Sequence, residues 1–178
     1  MVVCSAAVAD LVVAPHDHVV NLYDDEADVI AAVCSYLAEG LAAGEAAVVV
    51  ATESHRQAFD AGLHERGIDP EAARASGQYR CLDAAATLSL FMVDGTPDPA
   101  SFVRVIGGLV TEASAGGRAV RAFGEMVALL WDDGNVVGAI ELESLWNELG
   151  REYAFSLYCA YPMAMLNGSD DLDAIRHV

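Results

Sequence analysis

Five short apolar runs, separated by stretches with helical spacing, constrain what this chain can become. His18–Tyr23, Ala46–Ala51, Gln78–Leu82, Arg118–Met126 and Ala154–Cys159 are short and rich in Val, Ala, Leu, Phe and Tyr. Near-continuous apolar runs of that length predict strands covered on both faces rather than half-exposed ones. Between them, Val29–Leu41, Arg56–Arg66, Ala84–Met92, Ser101–Ala115 and Asn135–Glu152 carry apolar residues at helical intervals, with Gly40, Gly44, Gly67, Gly116 and Gly117 as punctuation. Asp94–Pro99 reads as a loop. Alternation of this kind predicts an α/β fold: a three-layer αβα arrangement around a mostly parallel sheet of about five strands.

The first strand-to-helix turn then restricts function. Phosphate-binding folds place glycines there, so that backbone N–H groups face the anion, and add a lysine for charge. This chain has Tyr23-Asp24-Asp25-Glu26 at that position. Three carboxylates repel a triphosphate, and Asp24 or Asp25 is suited to cap the helix, its side chain accepting from orphan N–H groups at the positive end of the dipole. The helix thus fills its own anion site, which argues against ATP hydrolysis. Glycines are also missing where a dehydrogenase or methyltransferase would need them, and no GxSxG or HExxH motif occurs.

Charge narrows the partners. Twenty-seven acidic residues oppose nine basic ones, for a formal net charge of −18. Neutralising phosphates needs a basic face, and the arginines do not cluster, so neither nucleic acid nor an anionic membrane is an expected partner. Cys4, Cys34, Cys81 and Cys159 lie far apart without CxxC spacing, which predicts free thiols, a reducing cytoplasmic setting, no disulfide framework and no metal. His16 and His18 share one face of an extended segment, but two ligands do not make a site. Residues 1–15 are apolar, lack a basic start and are interrupted by Asp10, so a signal peptide is not indicated. They are expected to form a flexible or loosely docked leader before a single domain over 16–165, with 166–178 as an acidic tail.

In open α/β sheets a ligand sits beyond the carboxyl ends of the strands. Those ends here supply Tyr23, Asp24, Asp25, Thr52, Gly124, Glu125, Met126, Cys159 and Tyr161. Such a rim suits a small neutral or weakly polar molecule: the tyrosines give apolar area and hydroxyls, Met126 adaptable packing, Glu125 one oriented polar contact. Plainer readings stand beside these. Glu125 is equally suited to a structural role, bonded to a neighbouring loop. Cys159 on a buried strand serves as a small hydrophobe, Tyr161 before Pro162 as a strand end, and Trp131 and Trp146 as core anchors. His18, about five residues at about 3.3 Å each from Tyr23, is placed outside that rim.

Several segments carry a resemblance. Gly44-Glu45 with Val48-Val49-Val50, the Gly77–Asp83 strand and the Arg118–Leu130 region resemble in order and spacing the core of RecA/KaiC-like ATPases. More specifically, His18–Tyr23, Ala38-Glu39-Gly40-Leu41, Phe91-Met92-Val93-Asp94-Gly95, Arg121–Met126, Leu145-Trp146-Asn147 and Cys159-Ala160-Tyr161-Pro162 resemble the MEDS family of DcmR-like sensory domains of methanogens and methylotrophs. The resemblance spans about residues 18–162. It implies a RecA/KaiC-like core without a working P-loop, and a non-catalytic sensory domain for small organic, hydrocarbon-derived ligands, without a cofactor. It also implies relay to a separate kinase, anti-sigma factor or transcription regulator, and a homo-oligomer is compatible with it. Two other readings stay open: a degenerate RecA-like scaffold that binds a protein partner without a ligand, and a divergent hydrolase using Glu125.

Overall fold

A computed structural model describes residues 2–4 and 16–165. Its elements, in chain order, are β1 (Val2–Cys4), β2 (His18–Tyr23), α1 (Glu26–Ala42), β3 (Ala46–Ala51), α2 (Glu53–Glu65), α3 (Pro70–Ala75), β4 (Tyr79–Asp83) and α4 (Ala84–Leu88). A small hairpin follows, β5 (Met92–Val93) and β6 (Thr96–Pro97). Then come α5 (Pro99–Phe102), a π-helical turn (Val103–Gly107), α6 (Gly108–Ala113), β7 (Val120–Gly124), α7 (Met126–Asp132), α8 (Val136–Glu152), β8 (Phe155–Pro162) and a 3₁₀ turn (Met163–Met165). Within the described residues no helix is long and apolar enough to cross a membrane.

Six strands form one sheet in the order β1-β2-β8-β7-β3-β4, every pairing parallel. The five strands expected from the sequence are all present, and Val2–Cys4 adds a sixth at the edge, pairing Val2 with Val19 and Cys4 with Asn21. Residues 5–15 of the expected leader and the tail 166–178 lie outside the described residues. Alternation along each strand sorts the core into two halves. Val19, Val49, Phe123 and Tyr158 pack against α1, α2 and α3. Val20, Val48, Val50, Ala122 and Leu157 pack against α4 to α8. Helices on both faces of a parallel sheet make the three-layer αβα arrangement predicted from the alternation.

Helix starts follow side-chain chemistry. Asp25 caps α1, its carboxylate accepting from the Ala27 N–H at 2.8 Å. Asp69 and Asp98 cap α3 and α5, each followed by a proline whose missing N–H costs nothing in a first turn. The chain between α4 and α5 holds a hairpin where a loop was expected. Asp94 and Gly95, at φ +50° and +84°, supply the paired positive φ of a tight hairpin turn.

Two strand boundaries also move. β7 stops at Gly124, and Met126, expected on the strand, instead starts α7. β8 continues through Tyr161 and Pro162, expected as its end, because β2 pairs with it as far as Pro162, whereas β7 gives out opposite Cys159. Residues 160–162 then pair on one side only, with β2, and there a residue lacking an N–H is tolerated.

Candidate functional site

The chain changes direction between β3 and β7. After β3 it climbs onto the α1–α3 face and moves outward to β4; after β7 it passes to the opposite face and returns to β8. Divergence of the two connections makes the carboxyl ends of these adjacent strands the topological switch point, the crevice position at which open α/β sheets hold ligands. Glu125, immediately after β7, lies there. Its N–H donates to the Val50 carbonyl at 3.1 Å, tying the turn to the end of β3.

The Glu125 side chain is buried and both of its oxygens are engaged. Oε1 accepts from the Thr52 N–H at 2.5 Å and Oε2 from His55 Nδ1 at 2.6 Å. His55 Nε2 donates to Glu26 Oε1 at 3.0 Å. Both ring nitrogens therefore point at carboxylates, an arrangement that favours imidazolium. The hydrogen bond to Glu125 accordingly raises the His55 pKa above its ordinary value against the opposing effect of burial, with the charges of Glu125 and Glu26 adding to the rise. The ring stacks on Phe59, centroids 5.6 Å apart, which fixes its plane. Half-buried Tyr23 lies near both carboxylates. Burial, then the neighbouring Glu125 and Glu26, hold its hydroxyl protonated to higher pH than usual.

A second polar cluster lies on the other face of the sheet, between β2, β8 and α8. His18, Glu143, Cys159 and Tyr161 are all buried among apolar neighbours. The Tyr161 hydroxyl donates to Glu143 Oε1. His18 Nδ1 donates to Asn147 Oδ1 at 3.0 Å, and the Asn147 amide donates to the Glu143 carbonyl at 3.2 Å, which orients it. Burial pushes the Glu143 carboxyl up to about 8, raises the Cys159 thiol well above its ordinary value and lowers the His18 imidazole. All three are therefore held toward their neutral forms. A groove of about 510 Å³, lined in part by His16, Asp17, His18, Trp146 and Asn147, runs past this cluster at the amino-terminal end of β2.

The residues expected to form one rim are thus divided. Tyr23, Thr52 and Glu125 meet in the crevice. Asp25 is committed to capping, and Asp24 beside it is exposed. Gly124 sits under the Trp146 ring, where an added Cβ would lie 3.4 Å from Cζ2. Met126 is wholly buried in the α4–α8 half of the core, as is Cys159. Tyr161 and Cys159 belong with His18, although spacing along β2 places that histidine apart from them. His55, Glu26 and Glu143 are members of these two polar clusters that the strand-end pattern does not pick out. For Glu143 a signal exists: it and Asn147 are four residues apart, hence one above the other on a helix face, flanked by apolar Leu142 and Trp146.

The family model described as "MEDS: MEthanogen/methylotroph, DcmR Sensory domain" matches residues 17–177. The comparison with curated proteins yields no match.

Proposed function

The chain belongs to the MEDS family of sensory domains, and from that premise we propose that it is a non-catalytic sensor built on a RecA/KaiC-like core without a working P-loop. It binds a small organic, hydrocarbon-derived molecule in the β3–β7 crevice and passes its state to a separate signalling protein, a kinase, anti-sigma factor or transcription regulator. The observation that carries this reading is the junction of Glu26, His55 and Glu125 beneath Tyr23, with the amino end of α1 capped by the chain's own Asp25. A cluster in which two carboxylates already hold the one imidazolium repels a polyphosphate more than it binds one. It offers a small alcohol or amine a phenol and a carboxylate–imidazole pair, beside the aromatic surface of Tyr23.

The test is a thermal-shift screen of the chain with small alcohols, amines, halogenated hydrocarbons and magnesium nucleotides. A compound that binds only the folded state stabilises it by about 2.7 kcal/mol at a hundredfold excess over Kd. Stabilisation by a small organic compound, lost in Tyr23→Phe or Glu125→Gln, supports the sensor; stabilisation by magnesium nucleotide alone refutes it. A second reading, a scaffold for protein association, is favoured by the two oxygens of Glu125 being already engaged within the protein. Silence of the whole screen is the result that reading expects.

A further inference from the structure

The cluster on the α8 face has the composition and spacing of a metal site. One ring nitrogen of His18, a Glu143 carboxylate oxygen and Cys159 Sγ lie within 4.8 Å of one another. Two candidate ligand atoms of these residues, His18 Nε2 and Glu143 Oε2, are buried and without a hydrogen-bond partner among the described residues. They face each other at 3.8 Å, beyond hydrogen-bonding reach. Two nitrogen or oxygen ligands on a tetrahedral zinc-class ion, at bonds of about 2.0–2.1 Å, stand about 3.4 Å apart, so a contraction of about 0.4 Å brings this pair onto one ion.

The surroundings match what such an ion requires. The Nδ1–H of His18 donates to Asn147 Oδ1, which leaves the Nε2 lone pair facing inward. Tyr161 holds the other Glu143 oxygen. Partners of this kind orient ligands and fix the histidine tautomer. A divalent ion with one carboxylate, one thiolate and a neutral imidazole carries no net charge, the condition under which ionised groups are tolerated in a core. His18 also lines the groove at the amino-terminal end of β2, so one ligand of the cluster borders solvent-accessible space.

We propose that His18, Glu143 and Cys159 form a binding site for a divalent transition metal of the zinc class, three protein ligands leaving one position open. It is independent of the crevice on the opposite face, and the mixed nitrogen, oxygen and sulfur donors suit zinc or cobalt rather than magnesium or calcium.

Cobalt(II), added to the reduced full chain, is the probe. The expected result is a single tightly held equivalent with a thiolate-to-cobalt charge-transfer band, erased by zinc. Cys159→Ala should abolish the band while its circular dichroism in chelator stays native. A variant with Cys4, Cys34 and Cys81 all changed to Ala should keep it. Asn147→Ala, which removes a positioning residue, should weaken zinc binding about 10- to 100-fold without displacing the band. A band that survives Cys159→Ala overturns the proposal. So does its absence from the triple variant, the deciding measurement if Cys159→Ala does not fold.

Discussion

Glu125 joins three segments of the crevice, and its replacement by glutamine separates charge from shape. Its carboxylate side chain is 6% exposed and the His55 side chain 13%, so the ion pair between them is poorly screened. Glu125→Gln keeps an acceptor for the Thr52 N–H but loses the charge facing His55; a hydrogen bond to a charged group contributes about 1.5–3 kcal/mol, which bounds the loss. Glu125→Ala also orphans the Thr52 N–H and leaves the imidazolium without its nearer counter-ion, and breaking a buried pair in that way costs about 3–5 kcal/mol.

The two variants differ again in pH dependence, because His55 has its pKa raised above the ordinary 6.5 in the folded chain, chiefly by Glu125, with burial opposing and Glu26 adding. The stability gained from that rise is complete below the unfolded pKa and is lost as pH climbs through the folded one. Tyr23, which with Glu26 faces this pair, stays protonated throughout, its own pKa being raised. Urea unfolding from about pH 5.5 to about pH 8.5 should therefore show the wild type exceeding Glu125→Gln most below pH 6.5, the gap narrowing toward the alkaline end. A gap that is constant over this range, or that widens with pH, refutes the assignment of the imidazolium to this junction. Glu26, with a 65% exposed side chain, should contribute little: Glu26→Gln is expected to cost about 0.5 kcal/mol or less.

Two other outcomes concern the face that supports the crevice. At Gly62, where α2 crosses α1, an added Cβ would meet Cys34 Sγ at 2.4 Å; Gly62→Ala should cost about 1–3 kcal/mol by overpacking, and the double variant with Cys34→Ala should recover most of it in urea unfolding. Asp25→Ala removes the α1 cap and should cost about 0.5–2 kcal/mol by thermal unfolding. A loss within error of zero there would show that the acidic turn is not the helix's own anion.

The layers of the fold and the capping role of the acidic turn were legible from residues alone, because both are local. A run such as Ala46–Ala51 that is buried at every position betrays cover on two faces. An aspartate two residues before an amide at a helix start has one obvious partner. Register is not local, and the expected rim depended on it. Tyr23 lies on the face of β2 that carries Val19, whereas Leu22 opposite Tyr161 and Val20 opposite Cys159 lie on the other. One residue of shift would exchange these faces, and nothing within either strand states which partner residue stands opposite.

The same parity explains why His18, counted along the strand as distant, meets Cys159. It lies two residues before Val20, on the same face and one pleat away, so distance from Tyr23 along β2 was beside the point. His55 and Glu26 escape notice for another reason: each lies in the first turn of its helix and reads in sequence as ordinary surface. Only the crossing of α1 and α2 over one end of the sheet brings them to Glu125. Strand ends therefore locate the crevice, but the first turns of the helices supply half of its chemistry. A search of this fold from sequence has to weigh residues two to four positions beyond each strand as heavily as the strand ends themselves.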